Sequence, residues 1–143
     1  MHIKTIQLFL FILLSFGFKS LNAQKSLTIN ISNVQDNVGK IHLALFRPND
    51  NFPFEGGACK EFSTAAVKGV TTYKINDLPK GEYAIAIYHD EDQSGKCETN
   101  FIGYPKEGYC FSKNFKVFLS APPFSKCSIN LDSDKAIAIG MRY

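Results

Sequence analysis

A chain of 143 residues, 45% apolar and 13% aromatic, is long enough to bury the core of one domain. Its formal net charge of +3 is small, and no basic stripe with interleaved aromatics appears, which excludes a nucleic-acid-binding surface. No internal repeat or low-complexity linker divides it.

The N-terminus sets the expected compartment. MHIKTIQ is weakly basic, LFLFILLSFGF is an apolar run of eleven, and KSLNA closes on Ala23. That order is the order of a secretory signal peptide over residues 1–23, with cleavage expected between Ala23 and Gln24. Eleven apolar residues are too few for a membrane anchor, because spanning about 30 Å of hydrocarbon takes about 20 residues. The remaining single domain, residues 24–143, carries a charge of about +1, since Lys4 and Lys19 leave with the signal. It is expected to be exported, periplasmic or extracellular, with no transmembrane segment after cleavage.

From there the dominant period is two. SLTINIS, KIHLALF, TYKINDL, EYAIAIYH, KCSINL and KAIAIGMRY alternate apolar and polar residues, and Gly, Pro, Asn or Asp bound each run. Seven strands are predicted, near 26–34, 39–47, 60–68, 71–77, 82–89, 123–131 and 135–142. NVGK, VKGV, LPKG and DSDK between them are short enough for hairpin turns. The fold class is therefore all-β, an antiparallel seven-stranded β-sandwich. In LPKGEY, Pro79 presets a turn, and Tyr83, Ile85 and Ile87 then share one face, assigned to the core.

Two connections are long. PNDNFPFEGGACK joins the second and third strands, and the stretch from Asp90 to about Pro122 follows the fifth. Loops of such length in a compact domain are usually functional or pinned. Four cysteines, Cys59, Cys97, Cys110 and Cys127, all fall in the exported part, which reads as two disulfides with three connectivities open. No CxxC pair supports zinc instead. Alternating strand directions favour Cys97–Cys110, which would pin the long loop, and Cys59–Cys127.

LPKGEYAIAIYHDEDQSGK followed by FIGYPKEGYCFSKN resembles an exported bacterial family, domain of unknown function 2141. Its members show a leucine-proline-x-glycine-x-tyrosine turn and a strand ending in His-Asp. An Asn/Asp/Gly-rich loop and a glycine-x-proline-x-glutamate-glycine-tyrosine run follow. The resemblance covers Leu27 to Tyr143, and departs at Cys97 and Cys110, where an apolar residue and a glycine are more usual. It implies a transthyretin-like or immunoglobulin-like sandwich and no established activity.

The stretch HDEDQSGKCETN concentrates the chemistry. Calcium loops place oxygen ligands at alternate positions with a glycine at the sixth. Asp90, Asp92 and Ser94 take the first, third and fifth positions and Gly95 the sixth. The Lys96 carbonyl and the Glu98 carboxylate follow at the seventh and ninth. Phe101 stands where an EF-hand has its bidentate glutamate, so this is a half-loop suited to weak calcium binding, about 10⁻⁴ to 10⁻³ M. A polar turn in which Asp and Asn cap backbone amides explains the same residues without an ion.

Catalysis finds less support. No GxSxG elbow occurs. His42 lies mid-strand opposite Ile41, Leu43 and Leu45, and His89 precedes the acidic loop. Asp92 and Glu98 could pair for acid–base work on a glycoside, with nothing else beside them. The aromatics Phe52, Phe54, Phe101, Tyr104, Tyr109 and Phe111 read first as a satellite core under the loops, and second as a contact surface. The expectation is an exported binding or accessory module, not an enzyme, for a protein or glycan ligand, with calcium ordering the 90–100 loop. The alternative is an envelope hydrolase with a site in the 89–114 loop.

Overall fold

The computed structural model describes residues 24–118 and 120–143, so the expected signal peptide lies outside the described residues. Eight strands form among them: β1 (Lys25–Val34), β2 (Lys40–Phe46), β3 (Lys60–Ala65), β4 (Gly69–Leu78), β5 (Gly81–Asp90), β6 (Gly108–Phe111), β7 (Ile129–Leu131) and β8 (Lys135–Gly140). A helical turn, α1 (Phe124–Cys127), precedes β7. No helix among the described residues is long and apolar enough to cross a membrane.

One sheet has the order β4-β1-β8 and the other β3-β2-β5-β6, with β7 paired to the first residues of β5. Leu27, Ile29 and Ile31 of β1 face Ile41, Leu43 and Leu45 of β2 and Tyr83, Ile85 and Ile87 of β5 in one buried core. The face assigned to Tyr83, Ile85 and Ile87 from the LPKGEY turn is therefore correct. Tyr83 also ties back to that turn, its hydroxyl donating to the Pro79 carbonyl at 2.9 Å.

Three expectations are corrected. The strand count is eight, because β6 was hidden in the long loop. GYCF is buried at every position, so it shows no alternation to read. The predicted strand at 123–131 shrinks to three residues, since Phe124–Cys127 coils into α1 after two prolines. The sheets are not wholly antiparallel: β8 runs parallel to β1, from Leu27 opposite Lys135 to Ser32 opposite Gly140. None of the four short turns closes a hairpin. Each carries the chain from one sheet to the other, and Asp134 fixes the last by accepting the Ser26 amide at 2.8 Å.

The disulfides are corrected as well, since all four cysteines are free thiols. Cys110 points from β6 into the core between the sheets, its sulfur 3.3 Å from that of Met141. Cys97 lies instead among residues on the outer side of the second sheet. Cys59 packs against the core between the sheets, whereas Cys127 belongs to a second apolar cluster on that outer side. The second sheet separates the members of both proposed pairs.

That outer cluster joins Phe46, Ala84, Tyr109 and Phe111 of the sheet to Phe52 and Cys127. Phe52 meets Phe46, Phe111 and Phe124 edge-on, with centroids 5.1, 5.9 and 6.1 Å apart. Both long connections thus fold over one face of one sheet. Phe52, Tyr109 and Phe111 are the satellite core expected of them, while Phe101, at 99% exposure, is not.

Candidate functional site

Alternation along β2 and β5 puts His42, Ala44 and Phe46, and Ala84, Ala86, Tyr88 and Asp90, on the outer face of the second sheet. Ala44 and Ala86 are cross-strand partners, and two methyl side chains there leave a hollow in the sheet surface. His42 and Tyr88, the neighbouring pair, stack with centroids 4.8 Å apart and planes 7° from parallel. The loops raise walls around this floor, bordering an open cavity of about 860 Å³. Phe54 comes from the first long connection, Lys96, Cys97, Ile102 and Tyr104 from the second, and Phe118 from the irregular segment between β6 and α1. Phe54, Ile102, Tyr104 and Phe118 are all substantially exposed, so the mouth is apolar. Tyr104 is anchored by Tyr109, whose hydroxyl donates to its own at 2.6 Å. Burial, and then that bond, push the Tyr109 phenol up to about 12, and burial does the same to Tyr88.

The acidic stretch lies at the edge of this floor. Asp90 is almost fully buried. Its Oδ1 accepts the Ser94 amide at 3.0 Å, and its Oδ2 accepts the Gly95 amide at 3.1 Å and faces His42 Nε2 at 3.1 Å. Asp92 Oδ1 accepts the same Ser94 amide at 2.9 Å, which holds its carboxyl below the usual range. The Ser94 hydroxyl donates to the Lys96 carbonyl at 3.1 Å. Asp90, Asp92, Ser94 and Lys96 are therefore brought together, as a hydrogen-bonded turn.

Glu98 is not brought to them. Its carboxylate pairs with Lys106 at 3.6 Å, and its carbonyl accepts the Lys106 amide at 2.8 Å in a small hairpin closed by Thr99 and Pro105. The carboxylate that does join is Glu107, with one oxygen each from Asp90, Asp92 and Glu107 lying within 4.8 Å of one another. Both Glu107 carboxylate oxygens are buried and neither has a hydrogen-bond partner. Burial first, then the charges of Asp90 and Asp92, push its carboxyl up, against a partial lowering by the nearby Glu98 and Glu91 backbone. Sequence spacing missed Glu107 because it lies beyond the turn, although it stands in the YPKEGY run that carried the resemblance.

The two histidines stand in different surroundings. His89 is fully buried and points inward, away from the cavity. Its Nε2 sits 2.7 Å from the Val38 carbonyl and its Nδ1 2.7 Å from the Tyr143 hydroxyl. A carbonyl only accepts, so Nε2 carries the hydrogen and, in the neutral ring, Nδ1 accepts from Tyr143. Asp36 and Glu91 approach the same ring at 3.8 and 3.5 Å, but both ring nitrogens are already committed. Tyr143 in turn rests on Gly108, where a Cβ would come within 2.4 Å of its ring. His89 is a structural residue, and His42 is the imidazole in the cavity.

No residue here is poised as a nucleophile. Burial pushes the Cys127 thiol up to about 11 and the Cys110 thiol up to about 12; Cys97 is an exposed residue, but the protein packed around its thiol, and then Glu107 and Glu55, push it up to about 11. Thiols so raised are protonated and unreactive at neutral pH. Of the two carboxylates expected to pair for glycosidase chemistry, Glu98 is held by Lys106 at 3.6 Å and Asp92 by the Ser94 amide at 2.9 Å.

These features define an all-β domain of two sheets with a loop-walled aromatic cavity on one outer face. A model of a family of uncharacterized proteins conserved in bacteria, domain of unknown function 2141, matches residues 29–139. The chain belongs to that family. No curated protein and no solved structure matches it.

Proposed function

We propose that the protein is an exported binding module whose cavity receives a glycan. The carrying observation is the hollow over Ala44 and Ala86, bordered by the stacked His42–Tyr88 pair. A flat hollow beside aromatic faces suits the C–H face of a sugar ring. Glu55, Glu61, Lys96 and Thr99 around the wall supply acceptors and donors for its hydroxyls. An open cavity of about 860 Å³ has room for two or three sugar rings.

The test is an array of envelope and extracellular polysaccharide fragments, probed with the mature chain and with Ala86→Leu. The leucine fills the hollow without touching the core between the sheets. Saturable binding to a fragment, lost in Ala86→Leu at unchanged Tm, supports the reading. Absence of any glycan binding, or equal binding by the variant, refutes it. The hydrolase alternative has one support, the buried Asp90 orienting His42 toward the cavity, as a general base requires. Turnover of a bound fragment, lost in His42→Ala, would favour it.

A further inference from the structure

We propose that Asp90, Asp92 and Glu107 together bind a calcium ion, with Glu107 in the role that sequence spacing gives to Glu98. Oxygens around calcium lie about 2.3–2.6 Å from the ion, so opposite ligands stand up to about 5 Å apart. One oxygen from each of the three carboxylates lies within 4.8 Å of the other two, compact enough for a single ion to touch all three.

Acidic clusters on loops are common without a cation, and two members of this one are explained without it. Asp90 and Asp92 accept the Ser94 and Gly95 amides of the turn between them. Glu107 has no such explanation. Its two carboxylate oxygens are sealed from solvent and share their space with two other carboxylates; the Glu98 and Glu91 backbone lies near enough to lower the carboxyl in part, but no donor reaches hydrogen-bonding geometry. A buried anion without a counter-charge is disfavoured, and here like charges add to the cost. Lys106, next in the chain, does not neutralise it, because its ammonium turns to Glu98.

A hard divalent cation supplies what this group lacks. All three donors are carboxylate oxygens, with no imidazole or thiolate among them, which suits calcium or magnesium over zinc. The ligands come from a strand end, a loop and a second strand's approach, a set better matched to calcium's flexible coordination than to magnesium's short octahedron. Water would complete the shell. Such an ion joins the end of β5 to the start of β6 across the loop, the task the expected Cys97–Cys110 bridge does not perform.

The test is calorimetric titration of the mature chain with calcium chloride, together with thermal melts in calcium, magnesium and chelator. No glycan is present, so the outcome is independent of the cavity's ligand. Wild type should bind calcium in the range of about 10⁻⁵ to 10⁻³ M and melt higher in it than in chelator, with a smaller response to magnesium. Glu107→Gln and Asp92→Asn should each weaken calcium binding about tenfold or more, while Glu98→Gln leaves it unchanged. Asp92 is exposed, so that variant reports even if Glu107→Gln fails to fold. Identical wild-type melts in calcium and chelator overturn the proposal. So does calcium binding that survives in both Glu107→Gln and Asp92→Asn, or that is lost in Glu98→Gln alone.

Discussion

Ser112→Ala should destabilise the domain far more than the loss of one small hydroxyl suggests. β5 pairs with β7 at Gly81–Tyr83 and with β6 at Ala86–His89, which leaves the backbone of Ile85 between the two partners. The fully buried Ser112 fills that gap: its Oγ accepts the Ile85 amide at 2.9 Å and donates to the Cys127 carbonyl at 2.6 Å. One hydroxyl therefore holds β6, β5 and α1 together. Alanine removes both bonds and leaves one buried donor and one buried acceptor without partners. Each such orphan costs about 1–3 kcal/mol, and the carbonyl falls toward the lower end, so the expected loss is about 2–4 kcal/mol. At about 4 °C per kcal/mol for a domain of this size, Tm should fall by roughly 8–16 °C. Urea denaturation at equilibrium measures the loss directly, with an unchanged m-value as the sign that the native and denatured states are otherwise comparable. A loss below about 0.5 kcal/mol would mean that water or a backbone shift re-satisfies Ile85, and that Ser112 does not hold the junction.

Further outcomes follow from the same geometry. Ile85→Ala, at a side chain with no exposed surface, should cost about 2–5 kcal/mol in the same denaturation assay. At calcium about 100 times its dissociation constant, binding should add about 2.7 kcal/mol to the stability of the wild type, read from urea midpoints in calcium and chelator. In chelator at neutral pH, Glu107→Gln should be more stable than wild type, and calcium should reverse the order. The sign follows from the raised Glu107 carboxyl: the folded state holds its proton more tightly, so the ion-free wild type gains stability as pH falls through the folded value toward the ordinary one. Glu107→Gln should flatten that gain in a pH series of melts. Intact mass after alkylation in denaturant, without reductant, should show four modified thiols; a mass with none modified would restore both disulfides, and one with two modified would restore a single bridge.

Most of the fold was legible where each strand has one buried face. Leu27, Ile29 and Ile31 alternate with Thr28, Asn30 and Ser32, and that period is visible in any window. β6 was illegible for the opposite reason: Cys110 faces the inner core while Tyr109 and Phe111 face the outer cluster, so no polar residue marks either side. The short turns gave the strand boundaries but not the topology, since a tight corner between sheets uses the same residues as a hairpin. The cysteines misled because an even count says nothing about which side of a sheet each one occupies. At the site, Asp90, Asp92 and Ser94 were found by local spacing. Glu107 and His42 were not, because they meet Asp90 only through the pairing of β5 with β6 and β2.

The topology also explains why both candidate sites fall on one face. The turns between β1 and β2, β3 and β4, β4 and β5, and β7 and β8 all cross from sheet to sheet, so they are short and lie at the ends of the sandwich. Neighbours within the second sheet, β2 with β3 and β5 with β6, are joined by the long connections instead. A long loop between adjacent strands has nowhere to pack except over the outer face of their own sheet. That face must then be apolar, and Ala44, Phe46, Ala84, Ala86 and Phe111 make it so. Among the described residues the first sheet has no such cover, and its outer face is polar, with Thr72 donating to Asn30 at 2.9 Å across the strands. Asp90 is the residue at which the two arrangements meet. It ends β5, caps the turn that begins the long loop, and presents its other edge to His42 on the cavity floor. Any cation held by Asp90 thus acts on the wall and the floor of the cavity through one carboxylate.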